Sequence, residues 1–197
     1  MATLTEESSD DFNKVVMPLL KSRQPRVRSA GVTALRRAGR HADAEPYLTD
    51  RSAVVRACAR WVLRQGGIEP APLYRALCAD PVARPAAAVG LGECKVPEDA
   101  NLIRALLPHP APGVRAYALA GLRALEAVRV QDIRPLLHDP SAAVVRQATA
   151  ALLPWADHLP QELLRGLLPE ERPRHQRIAA LRLLRAVGVH VRLPTPL

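Results

Sequence analysis

An arginine recurs along the chain at two fixed intervals, and this recurrence constrains the fold more than any other feature. We call the members of the series anchor arginines, and they are Arg28, Arg56, Arg84, Arg115, Arg146 and Arg177. The first two intervals between successive anchors are equal, and the last three are equal to one another and slightly longer. Both are close to 30 positions, a period typical of proteins built from one short structural unit repeated along the chain.

The residues around each anchor repeat as well. A leucine stands seven positions after all six anchors, and a small residue stands three positions after them. Together with the residues one before and six after the anchor, these positions form a stripe at helical period. We therefore predict a packed helix, helix B, in every repeat, with the stripe facing the core. In repeat three this helix has to begin near Val82 to accommodate Pro85.

A shorter apolar stretch precedes each helix B and predicts a second helix, helix A. The six stretches are 15–20, 44–48, 71–78, 101–107, 132–137 and 161–168. A single helical hairpin cannot bury its apolar stripe alone, whereas stacked hairpins share one continuous core. The sequence thus predicts an all-α fold, an α-solenoid (superhelix) of about six antiparallel helix pairs over residues 12–188. An acidic, disordered tail is expected at 1–11 and a C-terminal tail at 189–197.

Three segments resemble a known repeat family. The strings QPRVRSAGVTALRRAG, RSAVVRACARWVLRQGG and DPSAAVVRQATAALL, at 24–39, 51–67 and 139–153, are similar to HEAT-like repeats, most closely to the short type of bilin-lyase-like proteins. The resemblance implies a scaffold for macromolecules, and a few relatives act on alkylated DNA or handle tetrapyrroles. It also implies that an anchor arginine pairs with an acid in the turn between helices A and B. Candidate acids are Asp50, Asp80 and Asp139.

The chain is basic, with a formal charge of +9. Four of its 19 acids lie in the first eleven residues, so the balance from residue 12 onward is 28 − 15 = +13. Such a surplus favours acidic partners, either nucleic acid or an acidic protein. The split of 25 arginines to 3 lysines is also typical of GC-rich coding bias, so both interpretations stay open at this point.

Solenoids bind partners on their concave surface, toward which positions one, four, five and eight after the anchor are predicted to lean. The predicted partner-binding residues on this surface are Arg36, Arg60, Arg64, Arg123, Arg182 and Arg185, joined by the aromatic residues Trp61 and Trp155. Two structural alternatives stand beside this hypothesis. Arginines in a last helical turn complement the helix dipole, and tryptophans pack in cores.

The predicted function is a non-catalytic scaffold that binds another protein, one with an acidic surface, through the concave face. The alternative is nucleic-acid binding through a basic concave groove, with or without chemistry like that of alkylpurine DNA glycosylases. Trp155 and Asp157 are the pair of an aromatic and a carboxylate that we assign to such chemistry. No catalytic motif appears, so we expect no enzyme activity.

No cofactor, metal or membrane is expected to take part. The three cysteines lack CxxC spacing. They therefore argue against a zinc site or a disulfide framework and favour a cytoplasmic location. No apolar run in the sequence is as long as a membrane-spanning helix requires.

The last helix B places Ile178 and Leu181 where solvent-facing residues are expected. The end of a solenoid needs a polar outer face. We therefore expect this end to be covered by the C-terminal tail, by self-association with a second copy of the chain, or by a further repeat.

Overall fold

The computed structural model describes Phe12 and residues 14–189. The predicted tail 1–11 and the predicted tail 189–197, except for its first residue, lie outside the described residues. Within the described part the chain is all-helical and contains no β-strand, which confirms the predicted all-α class. The chain divides into two compact units, Met1–Gly90 and Leu91–Leu197.

The first unit contains the predicted helices B of repeats one and two, which pack against each other as α2 and α3. Pro25 occupies the first turn of α2, where a missing backbone N–H breaks no helical hydrogen bond. In chain order the elements are α1 (14–20), α2 (Pro25–Arg37), a 3-10 segment (His41–Thr49), α3 (Ala53–Gln65) and α4 (Pro70–Leu77), followed by α5 (Ala87–Glu93), which crosses the division between the units.

The second unit contains the helices B of repeats four to six, and α7 packs against α9, which packs against α11. Its helices A are present but short, and parts of them are 3-10 segments. In chain order the elements are a 3-10 segment (Pro97–Asp99), α6 (Ala100–Arg104), α7 (Pro112–Ala124), α8 (Val130–Ile133), a 3-10 segment (Arg134–His138), α9 (Ala142–Leu152), a 3-10 segment (Leu153–His158), α10 (Gln161–Arg165) and α11 (Arg174–Ala186).

The predicted apolar stripe is buried at all four of its positions in α3, α7 and α11. Repeat five departs from the pattern, because α9 ends at Leu152 and Leu153 is 41% exposed instead of packed in the core. In α9 the buried face includes Val144 and Val145, and Arg146 is exposed. The buried face of this helix is therefore turned relative to the face that the leucine pattern predicts.

Helix B of repeat three does not begin near Val82. Helix α5 begins only at Ala87, and residues 81–86 are not helical. Pro85 has no N–H to donate, and its ring clashes with the carbonyl four residues earlier in a helix. The predicted early start is therefore wrong, and the third anchor, Arg84, is exposed.

Two anchor arginines make the ion pair that the family resemblance implied. Arg28 Nε and Nη2 donate to Asp50 Oδ2 and Oδ1 at 2.7 and 2.8 Å. Arg115 makes the same two bonds to Asp139, at 2.8 and 2.9 Å. The remaining nitrogen of each guanidinium, Nη1, donates to the backbone carbonyls five and six residues before it. Each pair ties helix B of one repeat to the turn that precedes helix B of the next.

The two acids also organise the start of the next helix. Asp50 Oδ1 accepts the backbone N–H of Ser52, and Asp139 Oδ1 accepts that of Ser141, both at 2.8 Å. These serines are the N-cap residues of α3 and α9. One carboxylate thus fixes both an arginine of the preceding repeat and the first turn of its own.

The remaining anchors differ from one another in burial. Arg56 is buried and donates from Nη1 to the backbone carbonyl of Asp50 at 2.8 Å. In the last repeat the neighbouring Gln176 is buried in place of Arg177. The third candidate acid, Asp80, is exposed and accepts the backbone N–H of Ala83 at 3.2 Å.

Partial burial raises the pKa of the Asp50 carboxyl, but the hydrogen bonds from Arg28 and Ser52 and the charges of Arg28 and Arg51 outweigh this effect. The pKa of Asp50 therefore lies below its ordinary value. The hydrogen bond to Asp50 raises the pKa of Arg28, so both partners stay charged across the neutral range.

A left-handed backbone conformation marks the end of helix B in five of the six repeats. The five residues stand eleven positions after their anchors, and their φ angles lie between 61° and 76°. They are Gly39, Gly67, Lys95, Glu126 and Gly188. In repeat five the 3-10 segment Leu153–His158 takes the place of this turn. The sequence period is thus matched by a period in the backbone.

Candidate functional site

The sequence placed Arg36 and Trp61 on the same surface, and the structure brings them into contact. The Arg36 guanidinium carbon lies 4.9 Å from the centroid of the Trp61 ring, within the range of a cation–π interaction. Arg36 is half-buried, and its Nε has no hydrogen-bond partner among the described residues. Trp61 is 43% exposed. The pair joins the C-terminal end of α2 to the middle of α3 on an open surface.

Two further arginines of α3 stand close to Trp61 in the sequence, one on each side of it. Arg60 is half-buried, and its Nη1 lies 3.5 Å from the hydroxyl of Tyr74. Arg64 is exposed, and its Nε lies 3.6 Å from Glu69 Oε2. Exposed pairs at such a distance are weak. Arg64 therefore remains available to an acidic partner.

The remaining predicted arginines lie in the second unit and are exposed. Arg123 on α7 donates to the Gln147 side chain at 3.3 Å. Arg182 and Arg185 lie on α11. Arg182 lines a cleft of about 180 Å³ together with Arg146 and Ile178.

The two apolar residues of the last helix B differ in exposure. Ile178 is 44% exposed, and Leu181 is half-buried. The tail that was expected to cover them lies, apart from Val189, outside the described residues. Coverage of this end stays a prediction.

Trp155 does not lie on a helix B. It belongs to the 3-10 segment that follows α9, and its φ of −116° and ψ of 18° are not helical. Pro154 before it has no N–H to continue the helical ladder. Trp155 is 42% exposed and lines a cleft of about 470 Å³ with residues 128–131, Arg134 and His158.

The sequence interpretation missed the surroundings of Trp155. Arg129, Arg134 and His158 line the same cleft. None of them stands one, four, five or eight positions after an anchor arginine. They lie in segments that join or begin helices A, where the repeat pattern carries no register. Arg129, which stands between the apolar residues 128 and 130, was the one available signal.

No metal centre appears among the residues that the structure describes, in which no group of three or more His, Cys, Asp or Glu side chains is close enough to hold an ion. Asp157 and His158, which stand beside Trp155, form a hydrogen bond of 2.7 Å to each other. Their side chains are 71% and 63% exposed. Water therefore reaches both groups freely.

Comparisons with known proteins add no assignment. No model of a known protein family matches the chain, and no curated protein has a similar sequence. Over the described residues no helix is both long and apolar enough to cross a membrane.

Proposed function

We propose that the chain is a non-catalytic scaffold that binds an acidic partner protein through the surface of its helices B. In this proposal the helix pairs form a right-handed α-solenoid of HEAT-like repeats. Two observations support the arrangement: consecutive helices B pack together within each unit, and the left-handed turns recur at the period of the anchors. The proposed location is the cytoplasm. It is favoured by the sequence, whose three cysteines are an odd number without CxxC spacing and so argue against a disulfide framework.

The stacked pair of Arg36 and Trp61 is the observation that carries the proposal. Tryptophan and arginine are the residue types most enriched among the energetically dominant residues of protein interfaces. The stacking holds the guanidinium in place before a partner arrives, which lowers the entropy that binding costs. A stacked guanidinium still presents the N–H groups at its edge, and their planar arrangement matches a carboxylate.

The charge of the chain supports an acidic partner. Arg64, Arg123, Arg182 and Arg185 are all exposed, and the chain carries a formal charge of +9. Charges of one sign speed the encounter with an oppositely charged surface and select against basic partners.

The exposure of Asp157 and His158 supports a binding role over catalysis. Catalytic acids and bases usually stand in sites from which bulk water is excluded. Both of these side chains are instead open to solvent.

Affinity capture with the immobilised full-length chain tests the proposal. Partners captured from the native host are identified by mass spectrometry and then measured as purified proteins. We expect the triple variant Arg36→Gln, Arg64→Gln and Arg123→Gln to bind the partner more weakly and with a flatter salt dependence.

A matched control removes three exposed arginines that lie outside the predicted partner surface. Arg26→Gln and Arg174→Gln change the first turns of α2 and α11, and Arg172→Gln changes the loop before α11. This control loses the same charge as the triple variant, and we expect it to bind the partner nearly as well as the wild type does.

Two outcomes contradict the proposal. Binding of the partner with equal affinity by the wild type and the triple variant excludes the arginine surface. Tight binding of duplex DNA near physiological salt, with a steep loss as salt rises, favours the nucleic-acid alternative instead.

A further inference from the structure

The cleft around Trp155 has a composition that the proposed partner surface does not explain. One wall is the 3-10 segment that carries Trp155 and His158, and the other consists of residues 128–131 and Arg134. We propose that this cleft, called here the Trp155 cleft, binds one nucleotide unit. The base packs against the indole, and the phosphate is held by Arg129 and Arg134.

The two arginines supply the phosphate site. Both are exposed, and neither guanidinium makes a hydrogen bond or an ion pair with any residue that the structure describes. No carboxylate is among the described residues that line the cleft. Guanidinium groups bind phosphate through paired N–H donors, and two of them match the charge of a phosphate monoester.

The tryptophan supplies the base site. Its ring is 42% exposed, and the His158 ring stands edge-on to it, with centroids 5.8 Å apart and planes at 65°. His158 is held in turn by the hydrogen bond between its Nδ1 and Asp157. The indole therefore has the His158 ring as a neighbour and is still partly exposed where Trp155 lines the cleft. Nucleobases of every kind stack on such aromatic surfaces.

The size and the remaining polar groups agree with a single nucleotide. The cleft has a volume of about 470 Å³. This volume lies in the range of small-ligand sites. Gln131 also lines the cleft, and a glutamine side chain has both a donor and an acceptor that suit the edge of a base. A free nucleotide and one nucleotide of a single strand present the same base and phosphate, so the chemistry of recognition is common to both.

Tryptophan fluorescence tests the proposal directly, because the chain has two tryptophans. In the full-length Trp61→Phe variant the remaining emission comes from Trp155. The variant is titrated with adenosine monophosphate and, separately, with a short single-stranded oligodeoxyadenylate. We expect saturable quenching. Tighter binding of the monophosphate identifies a free nucleotide as the ligand, and tighter binding of the oligonucleotide identifies a single strand.

Substitutions then assign the effect to the cleft. Arg129→Gln and Arg134→Gln are each expected to weaken binding about tenfold, as expected for loss of a charge-assisted hydrogen bond. Arg174→Gln, which changes an exposed arginine at the start of α11 outside the cleft, is the matched control and is expected to leave the affinity unchanged. Calorimetry with Trp155→Leu checks the stacking contribution, and circular dichroism checks that each variant is folded.

Three results overturn the proposal. The first is the lack of quenching by either ligand at millimolar concentration. The second is equal affinity of the wild type and both arginine variants. The third is binding of a phosphotyrosine peptide in the cleft without binding of either nucleotide ligand. Because Arg36, Arg64 and Arg123 lie outside the cleft, failure here is independent of the proposed partner surface.

Discussion

Lys95 and Glu126 occupy equivalent positions in consecutive repeats, and their side chains form an ion pair, with Lys95 Nζ 2.5 Å from Glu126 Oε1. Each stands eleven residues after its anchor and has a left-handed backbone, with φ of 61° and 63°. The corresponding residue in repeats one, two and six is glycine. Glycine adopts this conformation without strain, whereas a side chain makes it unfavourable. Repeats three and four thus have the same left-handed helix end, although Lys95 and Glu126 are residue types for which this conformation is unfavourable.

Replacement of Lys95 by glycine is expected to stabilise the protein. The left-handed conformation costs a residue with a side chain roughly 1 kcal/mol, and glycine removes this cost. The greater freedom of glycine in the unfolded chain offsets part of the gain. The ion pair that is lost joins two exposed side chains and contributes little. Urea denaturation measures the change in the free energy of unfolding. Lys95→Ala, which removes the pair and keeps the strain, is the control, and a glycine variant less stable than the alanine variant contradicts the prediction.

Gly92→Ala is expected to destabilise the second unit. A Cβ at this position would lie 2.1 Å from the backbone oxygen of Gly121, so α5 and α7 would have to move apart. Forcing extra volume into such a contact costs about 1–3 kcal/mol. The same contact explains why repeat three has a glycine eight positions after its anchor, where repeats one, two, four and six have an arginine.

Gly113→Ala is the matched control for this substitution. Gly113 lies in the first turn of α7, where a Cβ meets nothing within 4 Å. Alanine favours a helix over glycine by up to about 1 kcal/mol, so this variant is expected to be slightly more stable than the wild type. Thermal unfolding of both variants compares them directly. Equal effects of the two changes would show that Gly92 is not held by a close backbone contact.

Asp50→Asn is expected to lower the free energy of unfolding by about 2–3 kcal/mol, because an uncompensated buried charge is costly. The change leaves the largely buried Arg28 guanidinium without its counter-charge. The asparagine oxygen still reaches the Ser52 N–H, so the turn itself is preserved. Asp43→Asn is the control, since Asp43 pairs with Arg40 at the surface, where such a pair contributes little to stability. A loss no larger than that of the control would mean that the buried pair adds nothing.

The same pair is expected to make stability depend on pH at the acid end. The folded pKa of Asp50 lies below its ordinary value. Its stabilisation is therefore complete above about pH 4 and falls as the pH drops through the folded pKa. Lys95 lowers the pKa of Glu126 in the same direction, but this contribution is present in both proteins and cancels from their difference.

The difference in unfolding free energy between wild type and Asp50→Asn should therefore be constant at neutral pH and shrink below about pH 4. Urea denaturation over a series of pH values measures it. If this difference in unfolding free energy grows on acidification, the pH dependence does not come from the Asp50 carboxylate.

The repeat pattern in the sequence predicted the helices B well where the local signals agree. Pro25 and Pro112 begin their helices, and glycines end helices at the predicted spacing. The pairing of Arg28 with Asp50 was likewise expected, from family resemblance. The contact between Arg36 and Trp61 joined two residues that the pattern had placed on one surface.

The errors arose where the local pattern and the packing disagree. The motif of valine and arginine in repeat five assigned Leu153 to the core. In the structure Leu153 is exposed. A helix turns by about 100° for each residue, so a small offset moves a different face into the core. The spacing of residues within the motif does not indicate such an offset.

The sequence by itself determined the helical class, the period of the repeats and the residues that begin and end most helices. These features depend on backbone propensities and on apolar spacing, which act over a few residues. Only the tertiary structure decided which faces are buried, and that Trp155 shares a cleft with Arg129 and Arg134. These side chains belong to connections between repeats, and Trp155 lies far from both arginines along the chain. Their proximity follows from the way neighbouring helices pack, which the spacing of residues in one repeat does not specify.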